Sequence, residues 1–97
     1  MKEISDANFE QEVVQSNEPV LVDFWAKWCG PCMKLKPILQ QIKDKKIVGV
    51  NVDENSELCV RYQISSIPAL ILFKNGVPVK THIGLTNENG VRNLFDN

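Results

Sequence analysis

The chain has few of the residues from which metal sites and membrane spans are built. In 97 residues it contains one histidine and three cysteines. No apolar run approaches the ~20 residues that cross a bilayer. Two cysteines form a Cys-x-x-Cys pair, but zinc needs two further ligands at matched spacing, and only the separate Cys59 and His82 remain. The sequence therefore predicts neither a bound metal ion nor a membrane span.

A strong charge of either sign is also lacking. The formal net charge is −1, with acids and bases mixed along the chain, so neither nucleic acid nor a membrane surface is an expected partner. The N-terminus has no apolar segment of signal-peptide length, and one cysteine pair plus one leftover thiol fits a reducing compartment. We expect a cytoplasmic, monomeric protein with a single domain over residues 1–97.

What the chain does contain is an alternation of strand and helix patterns typical of an α/β protein. The predicted strands are 2–4, 20–25, 47–52, 69–74 and 77–83. The predicted helices are one around 9–14, capped by Asp6, then 32–43, 57–62 and a closing helix around 91–95. Pro37 predicts a kink in the long helix. Asn75-Gly76 predicts a tight turn, and hence an antiparallel hairpin of the last two strands.

The sequence Trp28-Cys29-Gly30-Pro31-Cys32 lies where the second strand meets the long helix. A helix start directs unpaired N–H groups and the positive dipole end at the first sulfur, which favours the thiolate. Cys29 is therefore the predicted nucleophile, and Cys32, about one turn further in, the resolving thiol. Gly30 allows a close approach of the partner, and Pro31 suits the first turn. So short a bridge removes little chain entropy, which favours chemistry over a structural role.

Asp23 is a carboxylate within an otherwise apolar strand. Burial should raise its pKa. The two-residue period puts it on the face of Leu21 and Trp25, so it could take the proton of Cys32 through a water. The residues alone equally allow a buried aspartate that only bonds local backbone.

These residues together resemble a known family. The segment FWAKWCGPC at 24–32 is similar to the active-site segment of thioredoxins, and Asp23, Ile67-Pro68, FKNG at 73–76 and Gly84 match further landmarks in order. The resemblance covers nearly the whole chain. It implies the thioredoxin fold, a central mixed five-stranded sheet in the order βαβαβαββα with helices on both faces, and it favours the proton role of Asp23.

The resemblance also implies a substrate surface. Pro68 is expected to follow a cis peptide bond and to face the disulfide, leaving the main chain of Ile67 free to pair with an extended substrate and keeping metal from the cysteines. The surface expected around Cys29 is shallow and apolar and consists of Trp28, Gly30, Pro31, Ile67, Pro68 and Gly84.

Two positions depart from the family pattern. Where thioredoxins commonly have a lysine near the aspartate, this chain has Gly49, so we expect Asp23 to stay protonated to higher pH than in relatives with the lysine. Met33 replaces a residue that is often basic, which leaves the thiolate of Cys29 less favoured, although Lys34 and Lys36 follow closely.

Three other residues have structural interpretations. Trp25 is expected to support the site, with an indole N–H that needs an acceptor. Cys59 is expected to be a partly buried thiol, and His82 a surface residue in the last strand.

The prediction is a thiol–disulfide oxidoreductase that reduces disulfide-containing proteins and is recharged by a thioredoxin reductase. No cofactor is expected, because the dithiol carries the electrons and no dinucleotide fingerprint is present. A disulfide oxidase or isomerase is one alternative, which Gly-Pro between the cysteines disfavours, since oxidising relatives usually have histidine there. A non-catalytic binding subunit that uses the fold as a clamp is the other.

Overall fold

The second strand in the chain lies at the centre of the sheet. The computed structural model describes residues 1–96, and all six residues of this strand are buried. A nearly continuous apolar run suits a strand that is covered on both faces. In chain order the elements are β1 (Lys2–Glu3), a π-helical turn (Glu10–Val14), β2 (Val20–Trp25), α1 (Gly30–Gln40), β3 (Lys46–Asn51), α2 (Ser56–Arg61), β4 (Ala69–Lys74), β5 (Val77–Ile83) and α3 (Glu88–Phe95).

The five strands form one mixed sheet in the order β1-β3-β2-β4-β5. β3 pairs in parallel with both β1 and β2, whereas β4 is antiparallel to both β2 and β5. Asn75 and Gly76 have φ angles of 53° and 77°, which are the left-handed conformations that a tight hairpin turn requires. The predicted hairpin and the predicted α/β order are therefore confirmed.

Helices cover both faces of the sheet. Alternate side chains of β2 divide between two apolar clusters: Val22 packs with the π-helical turn and α2, and Leu21 packs with α1 and α3. Phe9 in the first cluster meets the rings of Tyr62 and Phe73, with ring centroids 5.5 Å away in both cases. Within residues 1–96, no helix is long and apolar enough to cross a membrane.

The helix ends differ from the sequence prediction. The first helix is a single π-helical turn, closed by the N–H of Gln15 on the carbonyl oxygen of Glu10. The long helix begins at Gly30, two residues before the predicted start, because Pro31 fits the first turn, where no N–H partner is needed. It ends at Gln40, before the predicted end at 43, and it continues through Pro37. The kink itself stays a prediction.

The prediction that Asp6 caps the first helix is wrong. Its Oδ1 accepts the backbone N–H of Leu58, 3.1 Å away, in the first turn of α2. In return, the Oδ1 of Asn55 accepts the backbone N–H of Asp6 at 2.9 Å. The first turn of a helix has N–H groups without partners, so a carboxylate brought close by the fold caps α2.

We expect Asp6→Ala to lower the free energy of unfolding by about 1 kcal/mol, because α2 loses a capping acceptor. Urea denaturation of the oxidised protein measures the change. Asp6→Asn keeps an acceptor oxygen and is the matched control, with a smaller loss. Equal stability of the alanine variant and the unaltered protein would contradict the cap.

Candidate active site

The two cysteines lie in the turn that follows β2. They form a disulfide, with their Cα atoms 5.2 Å apart. Cys29 is the N-cap of α1, and its sulfur accepts the backbone N–H of Cys32 at 3.2 Å. A sulfur thus takes the place that a serine or aspartate oxygen commonly takes at a helix start. Cys29 is 6% exposed and Cys32 is 1% exposed, so Cys29 is the more accessible of the two.

The backbone beside Cys29 is open to an approaching partner. A Cβ atom added to Gly30 would meet nothing within 4 Å. Pro31 lies in the first turn of α1, as predicted, and restricts the loop between the sulfurs. A partner can therefore approach the disulfide beside Cys29, and the segment that connects the two cysteines is stiff.

The later landmarks of the sequence come together at the same disulfide. The Ile67-Pro68 peptide bond is cis, as the resemblance implies. The carbonyl oxygen of Ile67 lies 3.8 Å from the sulfur of Cys29. Gly84, with a φ of 99°, donates its N–H to the carbonyl oxygen of Pro68 at 2.8 Å. The end of β5 is thereby tied to the cis-proline loop beside Cys29.

Trp28 projects beside the disulfide. Its side chain is 70% exposed, and its Nε1–H donates to Oδ2 of Asp53 at 3.0 Å. Sequence reasoning missed Asp53, because an exposed indole N–H can bond to solvent and does not by itself require an acceptor in the protein. A cleft of about 270 Å³ beside the indole is lined by Trp28, Val52, Cys59, Ile64, Ser65 and Ile67.

Cys59 is the free thiol in this cleft. It is half-buried, as predicted, and its sulfur donates to the carbonyl oxygen of Val52 at 3.9 Å. Burial raises the pKa of the Cys59 thiol, and the negative charges of Asp6 and Asp53 add to this effect. A thiol that ionises less readily is a weaker nucleophile at neutral pH.

Asp23 is buried within β2, with 1% of its surface exposed. The pKa of Asp23 is raised to about 7, mainly by burial and also by the negative charge of Glu3, while Lys36 acts in the opposite direction. Its Oδ1 has no hydrogen-bond partner among residues 1–96. The expected rise in the pKa of Asp23 is confirmed, and its Oδ1 is available to form a further hydrogen bond.

The neighbours of Asp23 along β2 show which part of α1 covers it. Leu21, two residues earlier, packs with Leu35. Trp25, two residues later, packs with Cys29 and Cys32. Because alternate residues of a strand share a face, Asp23 lies on the face covered by α1, between these two contacts.

Comparison with known proteins agrees with this geometry. The thioredoxin family model matches residues 1–97. A thioredoxin of Rickettsia bellii is 46% identical over 99 residues, which cover 97% of this chain and 94% of the relative. Thioredoxin 1 of Synechococcus elongatus is 44% identical over 98 residues, covering 96% and 92%. A thioredoxin of Mycobacterium bovis is 48% identical over 86 residues, covering 84% and 74%.

The chain belongs to the thioredoxin family. With its cysteine pair in a redox-active disulfide, it is a thiol–disulfide oxidoreductase that reduces protein disulfides. The expected thioredoxin fold is confirmed as well.

Glu3, which contacts the indole of Trp25, is a second residue near the active site that sequence reasoning missed. The Nε1–H of Trp25 donates to Oε1 of Glu3 at 2.9 Å, which confirms the expected need for an acceptor. On the same indole, Nζ of Lys36 lies 3.7 Å from a ring centroid. Glu3 occurs in the short β1, with nothing in its local sequence to mark it as part of the site.

His82 is less exposed than the sequence predicts. His82 is half-buried, and its Nε2 is buried with no hydrogen-bond partner in the described part of the chain. In the β4–β5 ladder it lies opposite Leu70, which belongs to the core cluster covered by α1 and α3. Within residues 1–96, no group of three or more His, Cys, Asp or Glu side chains is arranged to hold a metal ion.

The raised pKa of Asp23 predicts a stability that depends on pH. The folded protein keeps a proton that the unfolded chain releases, so stability falls as the pH rises from about 4 to about 7. Asp23→Asn cannot ionise. Its stability relative to the unaltered oxidised protein should therefore rise by about 3 to 5 kcal/mol between pH 4 and pH 8.

Urea denaturation at a series of pH values tests this. Glu57→Gln, which alters an exposed acid of α2, is the control and should follow the unaltered protein. If the free energy of unfolding changed with pH in the same way for Asp23→Asn and the unaltered protein, the carboxyl of Asp23 would have an ordinary pKa and the prediction would be contradicted.

Proposed function

We propose that Cys29 attacks the substrate disulfide and that Cys32 resolves the intermediate. The observation that carries this assignment is the position of Cys29 at the N-cap of α1, where its sulfur already accepts an N–H, while Cys32 is buried in the first turn. Hydrogen bonds and the helix dipole stabilise a thiolate at that position. Gly30 and Pro31 are proposed to tune the redox pair, by leaving the approach open and by stiffening the loop.

The reaction balances as two thiol–disulfide exchanges. The thiolate of Cys29 forms a bond to one substrate sulfur, and the other substrate sulfur leaves as a thiolate. The thiolate of Cys32 then attacks the sulfur of Cys29, and the first substrate sulfur leaves. The substrate gains two electrons, and the protein ends with the Cys29–Cys32 disulfide.

Asp23 is proposed to accept the proton of Cys32 before the second exchange. Three observations support the role: the carboxyl is buried on the face covered by α1, its Oδ1 is unpaired among residues 1–96, and its pKa is about 7. A base with a pKa near the working pH exchanges protons most effectively. A water molecule could connect the two groups.

The substrate is proposed to bind across the cis-proline loop. The carbonyl oxygen of Ile67 lies 3.8 Å from the Cys29 sulfur, and Pro68 is joined to Gly84 by a backbone hydrogen bond. The exposed indole of Trp28 lines the same cleft as Ile67. An extended peptide that pairs with main-chain groups would be recognised with little regard to side chains, so many protein disulfides could bind.

The partner that restores the dithiol can be inferred from the electron balance. Each turnover leaves an oxidised protein, so we propose that a thioredoxin reductase regenerates the dithiol and that the protein works in the cytoplasm, where thiols stay reduced. We further propose that residues 1–97 act as a single, monomeric domain, in agreement with two sheet faces that are covered by the chain's own helices.

The cysteine variants test the order of attack. Cys29→Ser should lose insulin reduction, because no nucleophile is available. Cys32→Ser should still attack but should accumulate a mixed disulfide at Cys29, which mass spectrometry detects. Cys59→Ser is the control for thiol loss outside the pair and should still reduce insulin. Normal turnover by Cys32→Ser would contradict the scheme, and failure of the unaltered protein with every thiol donor would favour a binding subunit.

Trp28→Ala should lower kcat/KM for insulin about 10-fold, the size expected for loss of an aromatic contact at a binding site. The rate with hydroxyethyl disulfide, which is too small to reach the indole and the thiol together, should change little. Val77→Ala removes an exposed apolar side chain from β5 and is the control. An equal loss with both substrates would show that Trp28 acts on the thiol chemistry and not on substrate binding.

A further inference from the structure

A second carboxylate lies close to Asp23. Glu3, Gly49 and Asp23 are register partners across β1, β3 and β2, so they stand side by side on the sheet. Neighbouring strands are about 4.8 Å apart, which places the Cα atoms of the two acids roughly 10 Å apart. The residue between them is a glycine, so no side chain separates them.

The side chain of Glu3 occupies the space above Gly49. A Cβ atom added to Gly49 would overlap the carboxylate of Glu3. That carboxylate therefore leans across β3 in the direction of Asp23. The indole N–H of Trp25 holds it there through the bond to Oε1. Because Trp25 is itself buried, the carboxylate is anchored and does not move freely in solvent.

Other charges surround this pair on the elements packed against it. Lys36 of α1 lies over the indole of Trp25 and opposes the effect of Glu3 on Asp23. A cleft of about 440 Å³ borders Glu3, and Lys27 and Glu54 also line it. In the reduced protein the thiols of Cys29 and Cys32, which pack against Trp25, are further titratable groups on this face.

We propose that Glu3 and Asp23 form a carboxylate pair in which the anionic Glu3 makes Asp23 a better acceptor for the proton of Cys32. This inference rests on the proton role proposed for Asp23. Two neighbouring carboxylates resist being charged together, so the buried one binds a proton more readily. Glu3 touches neither substrate nor cysteine and is a positioning residue.

The proton balance is simple. Asp23 takes the proton from the Cys32 thiol, and Glu3 takes no part in the transfer. The thiolate that results attacks the sulfur of Cys29, and the substrate sulfur leaves as a thiolate. Asp23 afterwards returns the proton to solvent.

NMR titration of ¹³C-labelled aspartate in the oxidised protein tests the pair directly. Glu3→Gln keeps an oxygen for Trp25 but removes the charge, so the titration midpoint of Asp23 should fall by about one pH unit. Lys36→Gln should move it in the opposite direction. Glu18→Gln makes the same charge change in the exposed loop before β2 and should leave the midpoint unaltered.

A single-turnover assay of mixed-disulfide resolution then links the pair to function. In Glu3→Gln, the midpoint of the pH–rate profile should move to lower pH by the same amount as the NMR midpoint. If Glu3→Gln moves neither midpoint, or the NMR midpoint alone, the proposed pair is overturned. If Asp23→Asn resolves the mixed disulfide at the normal rate, the proton role of Asp23 fails, even though the NMR shift would stand.

Discussion

The burial of β2 on both faces is the constraint from which the site follows. β2 is covered on both sides and ends at Trp25, and the chain becomes exposed only at Lys27 and Trp28, beyond the buried Ala26. The chain then returns over the sheet as α1, so the sulfur of Cys29 meets the unpaired N–H groups at the start of this helix. One junction thus provides an accessible sulfur, a buried partner and a local positive field.

The same burial gives Asp23 its chemistry. A carboxyl in the middle of a packed strand is unfavourable when charged, and its stability contribution worsens as the pH rises towards 7. An asparagine would fill a similar volume without that penalty, but it could not take up a proton. If Asp23 has the proposed proton role, the loss of stability near neutral pH accompanies a group that can bind and release a proton on the face covered by α1.

Features set by neighbouring residues could be predicted from the sequence. The β2–α1 junction and the Asn75-Gly76 hairpin depend on short segments, and each occurs where the pattern indicated. The exposed position of Trp28 agrees with the substrate surface that the family resemblance implies. The missed contacts join residues far apart: Asp6 with Leu58, and Trp28 with Asp53. Their partners depend on strand order and register, which apolar periodicity does not determine.

Glu3 shows how such a long-range contact can change the pKa of a buried acid. β1 is only two residues long, and both are exposed, so it contributes little to the core. Its register beside β3 nevertheless places a carboxylate over Gly49, next to the most deeply buried acid of the sheet. Lys36 on α1 supplies the opposite charge. The proton affinity of Asp23 is therefore a balance between an edge strand and a helix, and substitutions in β1 could tune the redox site without disturbing the core that positions it.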